Sequence, residues 1–170
     1  MLLKIFKVMK TSFKPMSFDH CEGVMNIYNF YIENSLAAYP EKIMPHEYFE
    51  KFMEHTKGFP AYTIFVDDEI AGFCFLKAYN PHSTFKETAE ITYFIKEGFT
   101  GKGIGKLALE KLEEEARKMG IRYILASISS ENAQSLSFHK KHGFSQCGRF
   151  GKIITKGGVQ FDIIWMQKNL

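Results

Sequence analysis

The stretch Ile91-Thr92-Tyr93-Phe94-Ile95-Lys96-Glu97-Gly98-Phe99-Thr100-Gly101-Lys102-Gly103-Ile104-Gly105-Lys106 decides the fold. Its first part is β-branched and aromatic, the composition of a strand, and the same character extends back to Thr88. Its second part crowds Gly98, Gly101, Gly103 and Gly105 into a short loop. The period then changes. Ile104, Leu107, Ala108, Leu112, Ala116 and Met119 form one apolar stripe at helical spacing, with Lys111, Glu113, Glu114 and Lys118 outside it. The pattern predicts a strand over 88–96, a glycine loop, and a helix followed by Gly120 in the left-handed conformation. Residues 121–128 are almost continuously apolar, as a buried parallel strand is. Together they make a βαβ unit with a right-handed crossover.

Upstream, residues 61–66 and 70–79 are strand-like and are joined across Asp67-Asp68-Glu69 as a tight hairpin. Before them, Val24, Ile27, Tyr28, Tyr31 and Ile32 recur at helical spacing, which predicts a helix over 18–34. A second helix is expected over 46–57, stopped by Gly58, and a short strand ends near Met16. Downstream, Asn132 caps a short helix that Gly143 ends. Residues 144–155 and 159–167 close the chain as an antiparallel hairpin turned at Gly157-Gly158. The order is βααβββαβαββ, a mixed α/β domain. No repeat or linker interrupts it, so residues 1–170 are expected to form a single domain, with residues 1–10 as an N-terminal extension, an extra strand or tail.

Composition excludes several function classes. The chain is 45% hydrophobic and 24% charged, which is globular rather than disordered. A net charge of +3 with both signs interspersed is not a nucleic-acid footprint. Cys21, Cys74 and Cys147 are odd in number and widely spaced, so neither a disulfide framework nor a zinc site is suggested, and reduced thiols in a cytoplasmic protein are expected. Lys4 and Lys7 interrupt the first ten residues before a signal-peptide core can form. No segment approaches the ~20 apolar residues of a membrane helix, and no membrane partner is expected.

A glycine loop between a strand and a helix brings main-chain amides close to a ligand, and the helix N-terminus adds unpaired N–H donors and partial positive charge. That is a phosphate-binding arrangement, assisted by Lys102 and Lys106. A tight turn also needs small residues, but four glycines in so short a run exceed what a turn requires. Leu107 follows Lys106 where a nucleotide P-loop needs Ser or Thr, and the dinucleotide fingerprint spaces its last glycines differently.

Thr100-Gly101-Lys102-Gly103-Ile104-Gly105, with Asn132-Ala133-Gln134-Ser135 and Lys141-His142-Gly143-Phe144 downstream, resembles the GNAT superfamily of N-acetyltransferases. Its loop reads Arg/Gln-x-x-Gly-x-Gly/Ala, and Thr100 departs from it at the first position. The similarity is nearer to the phosphinothricin acetyltransferase branch. It runs from Phe13-Lys14-Pro15 and Ile27-Tyr28-Asn29 through Phe85-Lys86, Thr88-Ala89-Glu90 and His139 to Asp162 and Trp165-Met166-Gln167. The resemblance implies a GNAT fold, with a mixed, mostly antiparallel central sheet and helices on both faces. It implies an enzyme that moves an acetyl group from acetyl-CoA to the primary amine of a small molecule, an amino acid or analogue of the phosphinothricin or methionine sulfone type. A homodimer is implied as well. Transfer to a peptide N-terminus or general amine, and a CoA-binding protein without turnover, are the alternatives.

The resemblance assigns site residues. Glu90 is the general base, although a strand glutamate is as often a solvated edge residue. His139 is the acid that protonates the departing thiolate, against a bland reading as a helix-surface histidine. Main-chain amides around Phe94 and Ile95 polarise the thioester carbonyl. Gly101, Lys102, Gly103, Ile104, Gly105 and Lys106 cradle the pyrophosphate, Ser135 faces the cofactor, and Asn132 holds the pantetheine arm or only caps its helix. Tyr39, Tyr79, Phe85 and Lys86 hold the acceptor, with Lys86 on its carboxylate. Asn80 stands where relatives carry arginine and Pro40 where they carry an acid. His139 and His142 lack an acidic or cysteine partner, so no metal is expected.

Overall fold

In a computed structural model that describes residues 10–170, the chain runs β1 (Thr11–Pro15), α1 (Cys21–Asn34), α2 (Phe49–His55), β2 (Ala61–Val66), β3 (Glu69–Ala78), β4 (Thr88–Ile95), α3 (Ile104–Lys118), β5 (Tyr123–Ser129), α4 (Ala133–Lys141), β6 (Ser145–Lys156) and β7 (Val159–Asn169). The order matches the expected βααβββαβαββ. The expectation for residues 1–10 lies, apart from Lys10, outside the described residues.

The seven strands form one sheet in the order β1-β2-β3-β4-β5-β7-β6. Every pairing is antiparallel except β4 with β5. Helices cover both faces, which explains why β3 is apolar at successive positions rather than alternating. Phe73 and Phe75 point to one side, where Met25, Ile27, Phe49 and Phe52 of α1 and α2 meet them. Cys74 and Leu76 point to the other, against Ala108, Leu109 and Leu112 of α3.

Boundaries moved for local reasons. The first predicted helix opens as a 3-10 turn, Phe18–His20, before α1 begins at Cys21. The second opens as a 3-10 turn, His46–Tyr48, because the chain leaves Pro45 in extended conformation and must tighten to turn. It ends at His55, where Thr56 Oγ1 donates back to the Phe52 carbonyl at 2.8 Å. The β2–β3 hairpin turns on Asp67 and Asp68, both with positive φ, so Glu69 already belongs to β3.

The decisive feature is a split. β4 and β5 pair only over Thr88–Glu90 and Tyr123–Leu125. Beyond Glu90, β4 stays with β3 as far as Ile95 opposite Gly72, while β5 follows β7 as far as Ser129 opposite Ile163. Gly72 lets β3 hold β4 this closely, since a Cβ there would lie 2.6 Å from the Phe94 carbonyl oxygen. The two central strands therefore diverge and leave an opening through the sheet.

Candidate active site

A cleft of about 870 Å³ fills the opening between the splayed strands and runs from the glycine loop to Lys77. Glu90 stands at its fork, as the last β4 residue paired with β5. Lys77 lies directly opposite Glu90 on β3, with its Nζ 3.2 Å from Glu90 Oε2. The two side chains are 34% and 18% exposed, so the pair is partly withdrawn from water.

On the glycine-loop side the groups offered are mostly main chain. Gly101 and Gly103 have φ of +72° and +84°, values that side chains resist, and Gly103 is the N-cap of α3. Ile104 is buried in the core, so what it contributes to a ligand is its N–H. Lys106 lines the cleft and pairs with Glu110 at 3.6 Å; Lys102 is outside the lining, over the Phe99 ring at 5.4 Å. Asn132 Oδ1 accepts the Ser135 N–H at 3.0 Å, which caps α4 and places both residues on the cleft wall. Phe94 packs against Tyr28, Tyr31 and Phe73, and Tyr31 Oη donates to the Ile95 carbonyl at 2.6 Å. These contacts brace the end of β4 that has parted from β5.

His139 is buried at 3% exposure, between Tyr93, Phe138 and Phe144. Its Nδ1 is 2.7 Å from the Ser135 carbonyl oxygen. A carbonyl only accepts, so Nδ1 carries the proton and Nε2 accepts from the Tyr93 hydroxyl at 2.5 Å. Burial pulls the imidazole down to about 4, the Ser135 bond opposing in part, so His139 is neutral near pH 7. Burial also raises Tyr93, which stays protonated. Tyr93 and His139 thus form one unit on the α3 and α4 side, while Glu90 projects to the α1 and α2 side.

The opposite flank is built from side chains. Tyr39 Oη lies 3.3 Å from Ser127 Oγ on β5, and both line the cleft. Burial raises the Tyr39 phenol, the Ser127 bond lowers it, and the Glu90 charge adds a smaller upward push. Lys156 at the end of β6 holds the loop that carries Tyr39. Its buried ammonium donates to the carbonyls of Ile32, Ser35 and Ala38 at 2.6, 2.9 and 2.7 Å. Asn29 pins the loop farther on, bonding both the N–H and carbonyl of Met44.

Of the expected acceptor residues, only Tyr39 lines the cleft. Tyr79 and Phe85 are exposed and meet edge to face at 5.8 Å, with Trp165 at 6.1 Å from Tyr79. Lys86 is exposed beside them. Tyr79 comes just past the end of β3, two residues after Lys77, and none of Tyr79, Phe85 and Lys86 lines the cleft, which makes this cluster a rim beyond it. Lys77, Tyr93, Ser127 and Lys156 were not singled out from sequence. A charge breaking the buried run Ala71–Leu76 was the available signal for Lys77; nothing local marks Lys156. Among the described residues no three His, Cys, Asp or Glu side chains group as a metal site would need, and no helix is long and apolar enough to cross a membrane.

The model of the Acetyltransferase (GNAT) family matches residues 24–144. A provisionally named phosphinothricin acetyltransferase of Bacillus subtilis is 32% identical over 84% of this chain and 88% of its own. An L-methionine sulfoximine/L-methionine sulfone acetyltransferase of Pseudomonas aeruginosa is 28% identical over 95% of this chain and 96% of its own. A crystal structure of a phosphinothricin acetyltransferase from Sinorhizobium meliloti, in complex with acetyl-CoA, shares the fold. Its TM-score is 0.89 at 23% identity, over 95% of this chain and 89% of that one.

Proposed function

The chain belongs to the GNAT acetyltransferase family, and from that premise we propose that it transfers the acetyl group of acetyl-CoA to the primary amine of a small α-amino acid or analogue, of the phosphinothricin or methionine sulfone type. The observation that carries the reading is Glu90 at the fork of β4 and β5, with the glycine loop at one end of the cleft and the side chains of Tyr39, Ser127 and Lys77 at the other. The relatives' named substrates support the acceptor class. The acetyl-CoA complex of a neighbour with this fold supports the cosubstrate. A cytoplasmic location goes with this reading, because acetyl-CoA is an intracellular cosubstrate.

Acetyl-CoA supplies the activated thioester. The N–H groups at the start of α3 and of Gly101 and Gly103 hold its pyrophosphate, with Lys106 adding charge. Asn132 and Ser135 face the pantetheine arm, and main chain near Phe94 and Ile95 polarises the carbonyl. Glu90 accepts the proton that the attacking amine must shed. On the leaving-group side stands the Tyr93 hydroxyl, whose single proton rests on His139 Nε2; turned towards the sulfur, it donates to the thiolate instead. Tyr79, Phe85 and Lys86 form the outer rim through which the acceptor enters. The final hairpin exposes Phe150, Ile153 and Val159, an apolar edge that supports a homodimer; light scattering distinguishes it from a 19.6 kDa monomer.

Thiol release from acetyl-CoA, measured against a panel of amino acids and simple amines, tests the function. Release with methionine sulfone or phosphinothricin supports it, and silence across the panel refutes it. Stabilisation of the native fold by acetyl-CoA, about 2.7 kcal/mol at a hundred times its Kd, with none from NAD or ATP, tests the cradle separately.

A further inference from the structure

We infer that Lys77 is the residue that binds the acceptor's carboxylate, so that the Lys77–Glu90 pair recognises the acceptor as a zwitterion. This rests on the acetyl-transfer reading above and names the specificity element within it. β3 is buried from Ala71 to Leu76 and turns charged only at Lys77, where it reaches the cleft. A half-buried cross-strand ion pair adds only modest stability, and this one stands in a cleft at the proposed point of reaction. Lys106 and Lys141, the other lysines lining the cleft, belong to the glycine loop and α4. Lys86 lies on the exposed rim.

The geometry suits an α-amino acid. Its nitrogen and the nearer carboxylate oxygen lie roughly 3 Å apart, a short span held by the N–Cα–C angle and bond lengths. The charges of Lys77 and Glu90 lie side by side at 3.2 Å. An acceptor with both charges sets its ammonium on Glu90 and its carboxylate on Lys77, and all four charges are paired. A bare amine places its ammonium beside the Lys77 ammonium, so two cations share the single Glu90 carboxylate. A peptide N-terminus has no carboxylate at that distance, so the pair disfavours it too.

The test compares L-methionine sulfone with 3-(methylsulfonyl)propylamine, the same side chain without the carboxylate, in the wild type, Lys77→Met and Lys77→Arg. Lys77→Met is expected to lower kcat/KM for the amino acid at least about tenfold more than for the amine, mainly through KM, as loss of one charge-assisted contact does. Lys77→Arg is expected to restore most of the difference. Calorimetric titration of methionine sulfone into the CoA-saturated protein gives an activity-independent reading, with Kd about tenfold weaker in Lys77→Met. Equal losses on both acceptors, or an unchanged Kd, overturn the assignment. A wild type that acetylates amines without preferring the carboxylate overturns it while leaving acetyl transfer intact. A wild type that releases thiol with no amine overturns both.

Discussion

The two flanks of the cleft are made of different material. On the glycine-loop side, the groups offered to a ligand are main-chain amides, placed by positive-φ glycines and by a strand pair that stops after three residues. On the Tyr39 side they are side chains brought from distant segments: Tyr39 to Ser127, Lys77 to Glu90, and Lys156 to the loop after α1. Main-chain geometry suits a ligand common to a whole family, because it tolerates change in the residues around it. A side-chain wall suits a ligand that differs from one member to the next. Glu90 stands where the flanks meet, and substitutions should separate them.

Glu90→Gln has the largest expected effect, a fall in kcat of about 10² to 10⁴, the usual worth of a general base, with acetyl-CoA affinity nearly unchanged. Steady-state kinetics and a calorimetric titration of acetyl-CoA measure the two sides; a matching loss of acetyl-CoA affinity breaks the division. Lys156→Met comes next. It leaves three carbonyls without their donor, and each unsatisfied buried acceptor costs about 1–3 kcal/mol. Relaxation of the loop limits the total to about 3–5 kcal/mol by denaturant midpoint. Acceptor KM should rise while acetyl-CoA Kd holds.

The same contrast explains what sequence revealed. The element order, the glycine loop and the Asn132 cap were readable because each depends on neighbours within a few residues: positive φ at Gly103, a side-chain oxygen three residues before Ser135. Glu90 and Tyr39 were reached through resemblance and do line the cleft. Lys156 binds carbonyls as far as 124 positions away, and no local pattern encodes such a contact. Lys86 also came from the resemblance, but register sets Lys77, not Lys86, opposite Glu90. His139 was legible as a residue and not as a state. Only packing shows that it is neutral and bonded to Tyr93.

That state has a thermodynamic signature. The His139 value falls from 6.5 to about 4 on folding, so the unfolded chain binds the extra proton between those limits. Stability supplied by this group is complete above pH 6.5 and is lost as pH falls towards 4, by on the order of 3 kcal/mol. Chemical denaturation from pH 7 to 4 should show this slope in the wild type and a flatter one in His139→Phe; parallel slopes place the acid sensitivity elsewhere. The smallest expected effect belongs to the loop. Gly103→Ala puts a Cβ at φ +84°, a strain of about 1–2 kcal/mol, which should weaken acetyl-CoA binding several-fold by calorimetry without altering acceptor preference.

Amide hydrogen exchange followed by mass spectrometry, first with acetyl-CoA alone and then with CoA and methionine sulfone together, tests the division most directly. Acetyl-CoA alone should protect residues 99–107 and the splayed ends of β4 and β5, and leave residues 35–45 as they are in the free protein. Added methionine sulfone should then slow exchange in 35–45. Protection of 35–45 by acetyl-CoA with no change at 99–107 would contradict the account.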